Sequence, residues 1–482
     1  MTLLILLSVS LVAAIILAFV GDRRFAPEIN IVGSAVTFLA GIALAIQVYM
    51  QGPMIAGGKF FFVDAFNVYL AVLTSFVSMT TAIFSRRYMR REREHGRVGH
   101  AGMRFYHAMF QLFIFAMLLA LLTNNVAVLW IAMELATLST VLLVSLYRTP
   151  AAVEAAWKYF ILCGVGIAQA LFGTVLLYFA AEKVLGEGGE ALLWTNLIRV
   201  SGQLEPTVLS LAFVFLMVGY GTKVGLVPLH NWLPDAHSEG PTPISAVLSG
   251  LLLNIALYAL VRCKVLVDGS TGTHRAGYIM MGFGLLSILV AAFSLLRQKD
   301  IKRMFAYSSI EHMGIATFAF GLGGPIATFG GLMHMLTHSL TKSSIFFTVG
   351  HASQMHQTQE LDKIKGLIRG NPLVGWGLMF GVMAIAGMPP FGIFASEFLI
   401  LTATIKEVPL LTPLFLLGLG VAFAALFRRV QPMVSGPVPA NQQQLIVSNI
   451  PMILHMALIL IIGLYMPDFL AEWFHKAVEL LR

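Results

Sequence analysis

Six ionisable side chains lie inside apolar stretches where water is scarce. Glu134 sits in VLWIAMELATLSTVLLV, and Lys223 near the end of LAFVFLMVGYGTKVG. His334, His338 and Lys342 lie in GGLMHMLTHSLTKSSIFFTVG, and Glu397 in AIAGMPPFGIFASEFLILTATI. A charge at membrane depth costs roughly 2.5–3.5 kcal/mol on insertion scales, so such a residue faces a cavity or a partner. Taken singly, each reads as a structural ion pair or as a lysine whose head snorkels to the surface. Taken together, over four apolar segments, they read as a path for protons or ions. His334, His338 and Lys342 recur at every fourth residue and therefore share one helix face. Burial disfavours the charged form of a lysine and of a carboxylate alike, so a buried Glu–Lys pair can exchange protons near neutral pH.

Prolines accompany these charges. Pro228 follows Lys223 and is expected to break that helix, since it removes a backbone donor. Pro389 and Pro390 precede Glu397 in the same way. Either break alone reads as a common membrane-helix kink. Two interrupted segments, each beside a buried charge, mark discontinuous helices in repeated halves. The polar linker HNWLPDAHSEGPTP supplies His230, Asp235, His237 and Glu239. Such a set could ligate a metal. The preferred expectation is a cytoplasmic-side entrance, where carboxylates and imidazoles hold water and close the broken helix ends, with no metal bound.

The elements that must position these groups are apolar helices. Hydrophobic residues make up 58% of the 482 and charged residues 11%, against about 25% charged in soluble proteins. Period-2 alternation is absent, which excludes an outer-membrane barrel. Windows long enough to cross a bilayer fall near 3–20, 31–50, 62–84, 105–122, 125–147, 159–181, 207–229, 242–262, 277–296, 302–322, 326–349, 372–403, 409–428 and 447–467. The first lacks a basic flank and reads as a retained span. Cys163 and Cys263 form no C-x-x-C pair, so neither an iron–sulfur cluster nor a structural zinc site is indicated.

The net charge of +8 marks loops, not nucleic-acid binding. The loop carrying Arg86, Arg87, Arg90, Arg91, Arg93, Arg97 and Arg104 is expected to be cytoplasmic, and alternate loops with Arg23 and Arg24, Arg148, Arg297, Lys299, Lys302 and Arg303, Lys363, Lys365 and Arg369, and Arg428 and Arg429 fall on the same side. Both termini then face the other side, and Arg262 and Lys264 are exceptions to the rule. The tail PDFLAEWFHKAVELLR is amphipathic and is expected to lie at the non-cytoplasmic interface.

Four strings carry a resemblance. KVGLVPLHNWLPDAHSEGPTPISAVLSG, WIAMELATLS, DIKRMFAYSSIEHMG and MLTHSLTKSSIFF resemble the antiporter-like proton-translocating subunits of respiratory complex I and membrane-bound hydrogenases. YSSIEHMGI and LLLNIALYALVR are most similar to the hydrogenase-4 component F branch, found in formate hydrogenlyase-like complexes. The resemblance implies an all-α polytopic membrane protein of about 14 transmembrane helices, with two inverted five-helix repeats that each contain a broken helix. It divides the chain into N-terminal helices with a basic loop (1–104), a first repeat (105–262), a second repeat (277–428) and a C-terminal helix with its tail (447–482).

The resemblance also implies roles. Glu134 matches a glutamate that tunes the lysine of the first broken helix, Lys223. Glu397 matches an acid that serves as the exit-side proton carrier in some relatives, and His338 and Lys342 match a histidine and lysine of others. Many relatives carry a linking lysine or histidine in the eighth helix, where this sequence has Asn254. Asparagine is no base, though it can orient water, so the relay is expected to run through water or through His334 and His338. The implied function is proton translocation in a hydrogenase-4-like or complex I-like oxidoreductase of a bacterial or archaeal cytoplasmic membrane. Two alternatives stay open: a cation/proton antiporter component without redox coupling, and a non-pumping membrane anchor. No flavin, nicotinamide or haem motif occurs, so no cofactor is expected in this chain. Iron–sulfur clusters and nickel–iron are expected in peripheral redox subunits, docked with other membrane subunits in the lipid bilayer.

Overall fold

Only a helix satisfies its own backbone within lipid, and apolar runs here become helices almost throughout. The computed structural model describes residues 1–438 and 448–481. Residues 447 and 482, the ends expected for the C-terminal unit, lie outside the described residues. The chain begins with α1 (Thr2–Val20) and α2 (Ala26–Gln51), followed by a short hairpin of β1 (Met54–Ala56) and β2 (Phe61–Val63). Next come α3 (Ala65–Glu94), α4 (His100–Leu122), α5 (Val126–Val144), α6 (Pro150–Leu185) and the short α7 (Trp194–Arg199). The middle of the chain forms α8 (Pro206–Val224), α9 (Trp232–Glu239), α10 (Thr242–Val247) and α11 (Leu253–Thr271). Then follow α12 (Arg275–Leu295), α13 (Ile301–Leu322), α14 (Gly324–His356) and a single turn, α15 (Leu367–Gly370). The chain continues through α16 (Pro372–Ile385), α17 (Gly392–Glu407), α18 (Thr412–Ser435), α19 (Ile450–Leu464) and α20 (Asp468–Leu480).

Polar caps set several starts. Asp64 and Asn67 close a reciprocal capping box on α3, Asn125 caps α5, Thr149 caps α6 and Asp300 caps α13. Small residues let helices touch. A Cβ on Gly284 of α12 would stand 2.7 Å from the Gly314 carbonyl oxygen of α13, an approach that only glycine permits.

Both expected breaks are present. The first differs in its cause. The helix ends at Val224 because Gly225 turns left-handed (φ 80°) and closes the last turn. Pro228, expected to break the helix directly, lies further along and keeps the backbone non-helical before α9. In the second break Gly387 (φ 67°) follows the end of α16, and Pro389 and Pro390 lead into α17.

Between α10 and α11 the helix widens into a π turn at Leu248–Leu252. The run expected to end at 262 in a polar loop continues helically to Thr271. Arg262, one of the two exceptions in the charge pattern, is buried. Its guanidinium donates to Asp64 at 2.6 Å and lies over the rings of Phe62, Phe66, Trp194 and Tyr258. A neutralised, aromatic-boxed arginine no longer reports which side of the membrane it faces.

Ten helices among the described residues are long and apolar enough to cross a membrane, or eleven if α19 and α20, bent by 78°, count as one. The chain is a multi-pass membrane protein. At the bend, Trp473 of α20 donates to the Ala65 carbonyl at the start of α3.

Candidate functional site: two clusters of buried ionisable groups

Lys223 occupies the last turn of α8 and is fully buried. Its ammonium donates to Thr137 Oγ1 of α5 and lies 3.8 Å from Glu134 Oε2. Glu134 and Thr137 are three residues apart, so one helix face presents both. The Glu134 side chain is about a quarter exposed (23%), although the Oε2 that approaches the lysine is itself buried. Below the lysine, Tyr159 shares a hydrogen bond with Thr140 (2.8 Å) and stacks on Trp232 (4.4 Å). Trp232 Nε1 in turn donates to the Thr222 carbonyl at 2.8 Å, which takes up a carbonyl that the broken helix frees. Ser287 of α12 accepts from the Val227 amide inside the break.

The linker residues separate. Asp235 forms ion pairs with Lys158 (3.2 Å) and Arg303 (2.7 Å) near the surface. His237 is buried and stacks on Phe346 with ring centroids 5.1 Å apart, and neither ring nitrogen has a partner among the described residues. It lies within electrostatic reach of Lys302 and Lys342. His230 faces the ring of Tyr307. Among the described residues, these side chains do not converge as a ligand set; the convergent His/carboxylate group lies elsewhere.

The second cluster lies among α11, α13, α14 and α17. Asn254 donates to the Met335 carbonyl (3.0 Å) and to Ser339 Oγ (2.7 Å). Ser339 itself donates to the Gly250 carbonyl, which the π turn leaves available. One turn further along α14, Lys342 Nζ donates to the Phe305 carbonyl at 2.9 Å and is within electrostatic reach of Glu311. His338, whose ring nitrogens have no partner among the described residues, stacks on His312 at 5.7 Å. His312 Nδ1 is 3.1 Å from His334 Nε2 and 3.9 Å from Glu397 Oε1. His334 Nδ1 bonds Ser396 Oγ at 2.9 Å. His334, His338 and Lys342 thus meet partners from two other helices, α13 and α17.

Among the buried groups not foreseen from sequence are Lys302, Glu311 and His312. Lys302 donates to the Gly240 carbonyl at 2.7 Å and is buried, although its run reads as a basic loop. Glu311 and His312 lie in the YSSIEHMG string and meet the same criterion of charge within an apolar helix. Applied to α13, it would have found them.

Residues 123–424 match the family described as NADH:quinone oxidoreductase/Mrp antiporter, transmembrane. The chain is 46% identical over 471 residues to the hydrogenase-4 component F homolog of Methylacidiphilum infernorum, covering 98% of each. It is 31% identical to NADH-quinone oxidoreductase subunit M of Pseudomonas aeruginosa, over 65% of this chain and 61% of that protein. It superposes on a chain of the membrane-bound sulfane sulfur reductase, an archaeal respiratory membrane complex. There the TM-score is 0.89 at 25% identity, covering 99% of this chain and 97% of that one. A chain of the Mrp complex from Dietzia shares the fold, with TM-score 0.85 at 18% identity over 100% of this chain and 97% of that one. The protein therefore belongs to the NADH:quinone oxidoreductase/Mrp antiporter family and is an antiporter-like membrane subunit of the hydrogenase and complex I kind.

Proposed function

We propose that this chain translocates protons as one membrane subunit of a hydrogenase-4-type oxidoreductase. The observation that carries the reading is the coincidence of breaks and charges. Lys223 ends the helix before the first break, and Glu397 lies on the helix after the second. Lys342, Glu311, His338, His312 and His334 occupy the interior near Glu397. Broken helices expose backbone groups that hold water, and water connects proton carriers that do not touch. In this reading Glu134 sets the protonation of Lys223, and Glu397 releases the proton. His230, Asp235 and His237 line the entrance. Asn254 holds water where relatives place a base.

The same reading counts fourteen spans. To the ten apolar helices it adds α13, α14, the α16–α17 pair and α19. Of these, α13, α14 and α17 carry buried ionisable residues of the second cluster, and α17 and α19 are short, with 16 and 15 residues. Residues 105–262 and 277–428 form the two repeats, flanked by 1–104 and 447–482. The arginine-rich end of α3 faces the cytoplasm, with both termini opposite, in a bacterial or archaeal cytoplasmic membrane. Redox chemistry, with its iron–sulfur and nickel–iron centres, belongs to partner subunits. A second reading, cation/proton antiport without redox coupling, draws on the fold shared with the Mrp complex. Co-purification of a metal-containing redox subunit distinguishes the two.

The test is proton uptake by vesicles that hold the reconstituted complex, driven by its own electron donor. Lys223→Met is expected to abolish uptake while the complex still assembles. Full uptake by an assembled Lys223→Met complex would make the subunit an anchor.

A further inference from the structure

We propose that His312, His334 and Glu397 form a binding site for a single divalent transition-metal ion, of which zinc is the probe, and that the ion blocks the path by occupying it. One ligand atom from each of the three residues lies within 4.8 Å of the others. His312 Nδ1 and His334 Nε2 are 3.1 Å apart, and Glu397 Oε1 is 3.9 Å from His312 Nδ1. Tetrahedral zinc with bonds near 2.0–2.1 Å sets neighbouring ligand atoms roughly 3.3 Å apart. The two imidazoles already meet that spacing; the carboxylate must close by about half an ångström toward His312 and must also draw in toward His334, with all three atoms within 4.8 Å.

The surroundings favour ligation. Ser396 Oγ donates its one proton to the Ile393 carbonyl at 2.8 Å, so it accepts from His334 Nδ1–H. That hydrogen bond fixes the tautomer and leaves the His334 Nε2 lone pair pointing at His312. A histidine anchored through its other nitrogen is the usual arrangement around a bound metal. The backbone of Ile385 lies within reach of the His312 ring. At 3.1 Å the two ring nitrogens can share one positive species, a proton or a metal ion. Two carboxylates, Glu397 as ligand and Glu311 within electrostatic reach of it, face the site, with Lys342 the cation that also reaches His312. Two imidazoles and one carboxylate are a borderline-soft set that suits zinc over magnesium or calcium. Glu397 keeps 11% of its side chain exposed, beside the break at Gly387, and this is the way in.

Binding stands on the geometry alone, whereas inhibition rests on the proposed relay, and the experiment separates them. Zinc or cobalt(II) is titrated into the purified complex, with bound metal counted and the cobalt d–d absorption recorded. Proton uptake is measured in parallel before and after chelation. The wild type is expected to bind one more ion per complex than His312→Asn or Glu397→Gln. It should show the intense visible bands of four-coordinate cobalt, and lose uptake reversibly. Ser396→Ala keeps all three ligands and removes only the anchor. It is expected to weaken binding about 10- to 100-fold, and it serves as the probe if a ligand variant fails to assemble. Equal metal content and cobalt spectra in wild type and variants overturn the site. Binding without inhibition keeps the site and removes these residues from the proton path. Uptake insensitive to zinc with no extra ion bound overturns the site and leaves the path standing.

Discussion

A methyl group placed on Gly387 would collide with Glu397 Oε2. The break in the second interrupted helix therefore does two things. It turns the chain through a left-handed residue, and it leaves a side-chain-free hollow for the carboxylate of the next helix.

Gly387→Ala is expected to cut proton uptake more than tenfold while the complex still assembles. The left-handed backbone costs alanine about 1–2 kcal/mol, too little to unfold a large membrane complex. Displacement of the carboxylate supplies the rest of the effect. Gly272→Ala is the control, since Gly272 is also left-handed (φ 59°, ψ 18°) and an added methyl there meets nothing within 4 Å. Equal uptake losses in both variants would show that backbone strain, and not Glu397, is responsible.

The buried Asp64–Arg262 pair ties the start of α3 to α11. Arg262→Met strands a buried carboxylate and is expected to cost about 3–5 kcal/mol. Asp64→Asn in that background removes the charge and keeps a good helix cap, so the double variant should recover most of the loss. Thermal unfolding of the detergent-solubilised complex measures this. A double variant no more stable than Arg262→Met would mean that the box of aromatic rings around the guanidinium, not the ion pair, holds α11 in place.

Asn254 has two buried acceptors, the Met335 carbonyl and Ser339 Oγ. Asn254→Leu removes both donations and is expected to cost about 1–3 kcal/mol and to slow uptake several-fold. Asn254→Lys restores a donor and should keep the complex assembled. If the leucine variant retains both stability and uptake, the π turn beside it is a packing feature only.

Much of the site was legible because intramembrane charge is rare. Glu134, Lys223, His334, His338, Lys342 and Glu397 stand out against apolar neighbours; Glu134 and Lys223 lie at the first break, Glu397 next to the second, and the other three along α14. Pairing was less legible. The link from His312 to His334 spans 22 residues between two helices, and Arg262 meets Asp64 across 198 residues. No periodicity encodes such contacts. Helix ends were misread where glycine competes with proline as a terminator. Gly225 stops α8 before Pro228 acts, because a left-handed residue closes the last turn locally. Lys302 read as a loop charge because apolarity weakens at the start of α13, yet packing buries it against the Gly240 carbonyl.

Orientation rests on the basic loops. Reporter fusions after His95 and after Lys365 are both expected to give a cytoplasmic signal, since each follows an arginine- or lysine-rich stretch. A periplasmic signal from either one would reverse the proposed sidedness and change the parity of the spans between them.

Glu134 and Lys223 supply the sharpest prediction, because their geometry separates tuning from carrying. Lys223 has two partners, Thr137 and Glu134, whereas Glu134 remains partly exposed. Glu134→Gln leaves Thr137 to hold the ammonium, so uptake should fall several-fold without vanishing. Lys223→Met removes the carrier, and uptake should vanish. Each single change leaves an unpaired group at the pair, so assembly must be confirmed by co-purification before rates are compared. Groups that act in series do not add. The double variant is therefore expected to be no slower than Lys223→Met, and, having lost both charges, it should be at least as stable. Independent, multiplicative losses from Glu134→Gln and from a partially active Lys223→Arg would place the two residues on separate paths. In that case the 3.8 Å pair would be a structural contact that holds α5 against the broken end of α8.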